Sequence, residues 1–165
     1  MSITPTVLTM ASQPLLESLQ KRLRLLEDKD ELTTLLNRYC NTADAHQWKA
    51  FSECFLPDGV LGFEKWGDIV GNEKIAEISG GAEDRFEGLQ HSMTNMQFTV
   101  DGNEAKATCY LWFAATMDTS KPHEYHAFGG PYQFWFKRTP QGWRIARMQL
   151  KKIWAQNEDV QGVFG

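Results

Sequence analysis

Apolar residues recur every three or four positions through the first half of the chain and alternate through the second half. Leu15, Leu16, Leu19 and Leu23 mark one face of a helix over residues 14–25, with Lys21, Arg22 and Arg24 on the other. Asp28-Lys29-Asp30-Glu31 reads as a capping box, with Asp28 as the N-cap of a second helix and Glu31 three positions on. That helix carries the apolar stripe Leu32, Leu35, Leu36, Tyr39, Cys40 and Ala43. A short helix through Trp48, Phe51, Cys54 and Phe55 stops at the turn-forming Leu56-Pro57-Asp58-Gly59. Val60–Phe63 reads as a strand, and a helix opens at Gly71-Asn72-Glu73 and ends at Gly80-Gly81.

From residue 96 onward the period changes to two. Residues 96–100, 105–116, 124–138 and 143–154 are β-type runs. Asp101-Gly102-Asn103 and Thr139-Pro140-Gln141-Gly142 supply hairpin turns, and Gly129-Gly130-Pro131 predicts a bulge. Helices first, then strands joined by turns, predicts an α+β fold in which the helices close one side of a curved antiparallel meander. No internal repeat or boundary divides residues 1–165, so a single domain is expected, with residues 1–10 a loose arm and 155–165 a tail.

Composition narrows the function. The net charge is −4 and basic residues form no run longer than two, which argues against nucleic acid as the partner. No segment is long and apolar enough to span a membrane, and the first twenty residues lack a secretion-signal pattern, so the cytoplasm is expected. Three dispersed cysteines, Cys40, Cys54 and Cys109, read as reduced thiols. Ten Phe and six Trp suit the lining of a pocket for a hydrophobic, planar or polycyclic small molecule as well as a plain core.

The chemistry concentrates in two places. Asp44 stands where a helix runs out, and His91 follows 47 residues later where a strand begins. A carboxylate that orients an imidazole makes a general base. Tyr39, Tyr110 and Tyr132 are candidate hydroxyl donors. On a strand Tyr110 shares a face with Thr108 and Trp112, and Tyr132 shares one with Phe134 and Phe136; either face could line the cavity. His123-Glu124-Tyr125-His126 is one residue short of a zinc-protease motif and lies on a strand, where side chains three apart diverge. No metal site and no cofactor are expected, and no phosphate loop or dinucleotide fingerprint occurs.

The succession of a helix ending near Asp44, a Trp-bearing second helix, Phe55-Leu56-Pro57-Asp58-Gly59, the His91-to-Asn95 strand and a meander closing on Gly142-Trp143-Arg144-Ile145 resembles a known family. It is similar, over roughly residues 28–155, to the SnoaL-like domains of the nuclear-transport-factor-2-like superfamily. The resemblance implies a cone-shaped α+β barrel. Three enzymes of that fold, scytalone dehydratase, hexachlorocyclohexane dehydrochlorinase and bile-acid dehydratase, use an aspartate and a histidine at the places of Asp44 and His91. The bile-acid enzyme has a catalytic tyrosine five residues before its aspartate, as Tyr39 stands before Asp44. Scytalone dehydratase carries a further histidine where this chain reads Ala115-Thr116-Met117, and Arg138 falls near an arginine of the dehydrochlorinase.

The resemblance thus implies a cofactor-independent lyase or isomerase acting on a hydrophobic aromatic or polycyclic metabolite. Asp44, His91 and Tyr39 would be catalytic, and Tyr110, Trp112, Tyr132, Phe134 and Arg38 would be substrate-binding. Arg38 near Asp44 also leaves an epoxide-hydrolase grouping open. The alternative is a non-catalytic subunit or ligand-binding module, such as the small subunit of a ring-hydroxylating dioxygenase. Self-association as a homodimer or homotrimer is expected, and the C-terminal tail, with Phe164 as a plug, is a candidate lid.

Overall fold

The computed structural model describes residues 12–157 together with Gly162 and Phe164. Helix α1 runs unbroken from Gln13 to Asp44, about 48 Å of rod. The expected break at Asp28 does not occur. Residues 24–31 contain no glycine or proline, and the Asp28 side chain does not cap a helix. It accepts a hydrogen bond from Arg138 Nη2 at 2.6 Å and lies 3.5 Å from Arg24 Nε. Residues 13–27 are exposed, while Leu32, Leu35, Leu36, Tyr39, Cys40 and Ala43 bury the expected stripe. The helix stops because His46 takes a left-handed conformation, φ 54°, and the N–H of Gln47 turns back to the Thr42 carbonyl at 2.8 Å. Asp44 is therefore the last helical residue.

Helix α2 spans Trp48–Ser52, strand β1 Phe55–Phe63, and β2 Gly67–Val70. Helix α3, Asn72–Glu83, passes straight through Gly80-Gly81, where the sequence predicts a stop. Gly80 is there for packing. A Cβ at this position would lie 3.1 Å from Trp48 Nε1, so the missing side chain lets the indole rest on the helix. The remaining strands are β3 Gly88–Asp101, β4 Glu104–Thr116, β5 Tyr125–Thr139, β6 Gly142–Leu150 and β7 Trp154–Gln156.

The sheet order is β2-β1-β6-β5-β4-β3, with β7 also paired to β5. Every pairing is antiparallel except β1 with β6, which is parallel, so the sheet is mixed. That pairing joins strands more than eighty residues apart, beyond the reach of a local pattern. The sheet curves without closing. Its curvature is helped by a bulge in β3 between Thr94 and Gln97, where Asn95 adopts φ 56°. Gly129 and Gly130 do not form the expected bulge, and their register with Trp112 and Leu111 is regular. They permit close approach instead: a Cβ on Gly130 would strike the Lys151 carbonyl, and one on Gly129 would strike Trp154 and the Leu111 carbonyl.

Alternation decides what faces the helices. On β4 the inner set is Ala105, Ala107, Cys109, Leu111, Phe113 and Ala115. On β5 the inner set includes Phe128, Tyr132, Phe134 and Phe136. The α+β class expected from the element order and the cone that the resemblance implies are the observed fold. Its sheet is mixed rather than purely antiparallel, and its core lies between α1, α3 and the concave sheet face.

Candidate active site

Asp44 at the end of α1 and His91 near the start of β3 meet inside the cone. The Asp44 carboxylate takes the His91 backbone N–H at 3.0 and 3.1 Å and faces ring Nδ1 at 2.6 Å. The backbone bond fixes the carboxylate, and the carboxylate in turn fixes the ring. With Nδ1–H donating to Asp44, the free lone pair of the neutral imidazole is on Nε2. The His91 side chain is 7% exposed, and its ring packs edge-on against Phe113 at 4.9 Å. Burial works against a charged ring here, but the hydrogen bond to Asp44 and the charges of Glu83 and Asp44 outweigh it and hold the His91 pKa above its ordinary value.

Beside the pair, the hydroxyls of Tyr39 and Tyr132 share a buried hydrogen bond of 2.7 Å. Burial pushes both phenols well above their usual range, so both are neutral donors at any physiological pH. Tyr39 is also edge-on to His91, with ring centres 6.5 Å apart. Phe134 stacks behind the two tyrosines, 4.7 Å from Tyr132 and 6.0 Å from Tyr39, and supports them rather than lining the space.

The other expected site residues lie elsewhere. Tyr110 and Trp112 are about half exposed on the convex face, because the even positions of β4 point outward. Trp112 packs there at a tilt against Trp154, with ring centres 4.6 Å apart. Arg38 points away from Asp44 and pairs with Glu53 at 2.6 Å on the surface. Arg138 caps the far end of the core, 4.2 Å over the Trp143 ring and bonded to Asp28. His123 is exposed in the turn before β5, not on a strand as expected, and His126 is buried on β5.

Glu83, the last residue of α3, joins the site without any motif to announce it. Its side chain is buried and lines the same cavity as His91, Tyr39 and Tyr132, and among the described residues Oε2 has no hydrogen-bond partner. Desolvation raises its pKa to about 7, against the pull of His91 and with a push from Asp44. Helical spacing is the one signal that points to it: Ile75, Ser79 and Ala82 define the buried stripe of α3, and Glu83 continues it.

Apart from Ser79, the rest of the lining is largely apolar and includes Leu61, Phe63, Leu111, Phe128, Met148 and Leu150. Phe164 completes the lining. It is 2% exposed and packs among Phe63, Trp66, Phe86, Phe113 and Phe128, parallel to the His126 ring. With this ring in place the free space is only about 40 Å³, roughly one water. The three cysteines are buried free thiols, with burial raising Cys54 to about 11 and Cys109 to about 12, so neither is a nucleophile.

The cone-shaped α+β fold and the chain's sequence together place it in one family. The SnoaL-like domain family matches residues 24–149, and the chain belongs to it. An uncharacterised protein of Mycobacterium tuberculosis is 27% identical over 123 residues, 74% of this chain and 83% of its own length. Among solved structures, an NTF2-like protein with a cystatin-like fold from Novosphingobium aromaticivorans is 25% identical with a TM-score of 0.73, covering 91% of this chain and 97% of that one. A provisionally named scytalone dehydratase of the same species is 16% identical with a TM-score of 0.74, covering 85% and 93%. Among the described residues no helix is long and apolar enough to cross a membrane.

Proposed function

We propose that this chain is a cofactor-independent lyase or isomerase that begins its reaction by removing a proton from carbon next to a carbonyl. The observation that carries this reading is the 2.6 Å contact between Asp44 and His91 Nδ1 inside an apolar cavity. Asp44 orients the ring and stabilises the imidazolium that forms, which leaves Nε2 as the base. The Tyr39–Tyr132 hydroxyl pair supplies the donor for the enolate oxygen, in a setting dry enough for that hydrogen bond to count heavily. A general base accounts for about 10²–10⁴-fold, and positioning within the cavity adds the rest.

The aromatic lining suits a hydrophobic substrate with a flat ring, such as an aromatic or polycyclic metabolite. The Phe164 ring fills the place such a substrate ring would take, so this side chain must move before a ligand enters. The exposed leucines of α1 and the convex Tyr110–Trp112 patch are the surfaces through which a homodimer or homotrimer would form. Three reduced thiols fit a cytoplasmic location.

The test is the titration of His91 by NMR in the wild type and in Asp44→Asn. A raised pKa that falls in the variant supports the dyad. Identical titration in both proteins refutes it.

A further inference from the structure

The geometry points to Glu83 as the acid that protonates a departing hydroxyl, which makes the preferred substrate a β-hydroxy carbonyl compound. This rests on His91 acting as the base. The titratable groups in the mostly apolar cavity wall are the Tyr39–Tyr132 pair, His91 and Glu83, and Ser79 adds one small hydroxyl. The first two serve a carbonyl oxygen and the carbon beside it. A double-bond isomerisation or a halide elimination needs nothing more, since halide leaves without a proton. Hydroxide is a poor leaving group, and losing it requires an acid. Glu83 has what such an acid needs: it is buried, lines the cavity with His91, and has a carboxyl oxygen that meets no donor among the described residues. A buried polar atom left without a partner is destabilising, so its retention calls for a partner that arrives with the ligand.

The step balances. His91 Nε2 takes the proton from the carbon next to the carbonyl, and the resulting enolate oxygen is held by the tyrosines. The enolate then collapses, the electron pair forms the carbon–carbon double bond, and the carbon–oxygen bond to the hydroxyl breaks. Glu83 gives its proton to that oxygen, which departs as water. An imidazolium at 91 and a carboxylate at 83 remain, and transfer of one proton from the first to the second restores the starting state. Nothing is oxidised or reduced.

The groups facing Glu83 favour this cycle. His91 on β3 and His46 after α1 stabilise its carboxylate, while Asp44 on α1 and neighbouring Asp84 oppose it. Tyr39 and Tyr132 stay neutral and take no part in the exchange of charge. Burial raises the Glu83 pKa to about 7, so a large fraction of the carboxyl holds its proton at neutral pH. His91 and Glu83 therefore share protons and titrate as a pair.

Two probes on the full chain test the assignment. One is the aldol adduct of acetone and benzaldehyde, whose loss of water yields a conjugated ketone absorbing in the ultraviolet. The other is the ketone formed by adding para-nitrophenol to methyl vinyl ketone, whose elimination releases coloured nitrophenoxide without needing an acid. Glu83→Gln is expected to slow water loss ~10²-fold more than nitrophenoxide loss. Equal slowing of both probes overturns the assignment and leaves the base reading intact. If Asp44→Asn and His91→Gln leave nitrophenoxide release unchanged, the base reading itself falls. Carboxyl-carbon NMR supplies a readout independent of turnover. A Glu83 signal titrating near 7 supports the assignment. One titrating with ordinary carboxylates below about pH 5 overturns it, because no acid would remain at neutrality.

Discussion

Arg138, near the end of β5, reaches the buried carboxylate of Asp28 on α1, with Nη2 and Oδ1 2.6 Å apart. The guanidinium also lies on the Trp143 ring, so one side chain clamps the long helix to the far end of the sheet. Removing Arg138 leaves the buried Asp28 carboxylate with only the longer contact to exposed Arg24, and removing Asp28 leaves the Arg138 guanidinium without its anion. Arg138→Ala and Asp28→Ala are each expected to cost about 3 kcal/mol or more, measured by urea unfolding. A surface pair of similar length, Arg38 with Glu53, is expected to cost under about 1 kcal/mol when broken.

The tyrosine pair makes a sharper test of coupling. Tyr39→Phe or Tyr132→Phe alone deprives a buried hydroxyl of its partner and is expected to cost about 1–2 kcal/mol. The double variant should cost less than the sum of the two, because neither hydroxyl is then stranded. A double-mutant cycle in urea reads the difference directly. Additive losses would mean that the two hydroxyls do not depend on each other.

Glu83 imposes a pH dependence on stability. The unfolded chain ionises this carboxyl near 4.5, while the folded chain keeps its proton until about 7. Through that window the folded state binds more protons, so stability falls as pH rises and stays reduced above it. His91, raised above 6.5, adds a loss in the same direction at higher pH. Glu83→Gln removes the carboxyl part. The variant is expected to match the wild type near pH 5 and to exceed it by on the order of 2–3 kcal/mol near pH 8.

Phe164 offers a test of access. Phe164→Ala should free the space now filled by the ring and raise the affinity for anilinonaphthalene sulfonate several-fold, followed by dye fluorescence. Unchanged dye binding would show that the aromatic slot stays closed without this side chain.

Gly130 is a backbone contact in disguise. Gly130→Ala would press a methyl group into the Lys151 carbonyl and force β5 away from the segment leading to β7, at a cost of about 3 kcal/mol or more by urea unfolding.

What can be read from residue order is whatever is local or periodic. The stripe from Leu32 to Ala43, the turns at Gly102 and Gly142, and the placing of Asp44 and His91 at element ends all follow from spacings of a few residues. The misreadings have non-local causes. Asp28 imitates a helix cap because its true partner lies 110 residues away. Alternation sorts β4 into two sets but cannot say which set is inside, so Tyr110 and Trp112 are indistinguishable from cavity residues by pattern alone. Gly80-Gly81 reads as a stop until Trp48 is seen packed against Gly80. Glu83 is hidden behind that stop.

The abrupt end of α1 has an electrostatic meaning of its own. Aligned peptide dipoles place about half a negative charge at a helix C-terminus, where a lysine or arginine commonly answers it. The last turn of α1 contains no basic residue, and a carboxylate sits there instead. The protonated ring of His91 is thus the missing cation of the whole helix, and each proton it accepts is stabilised by aligned backbone as well as by one side chain.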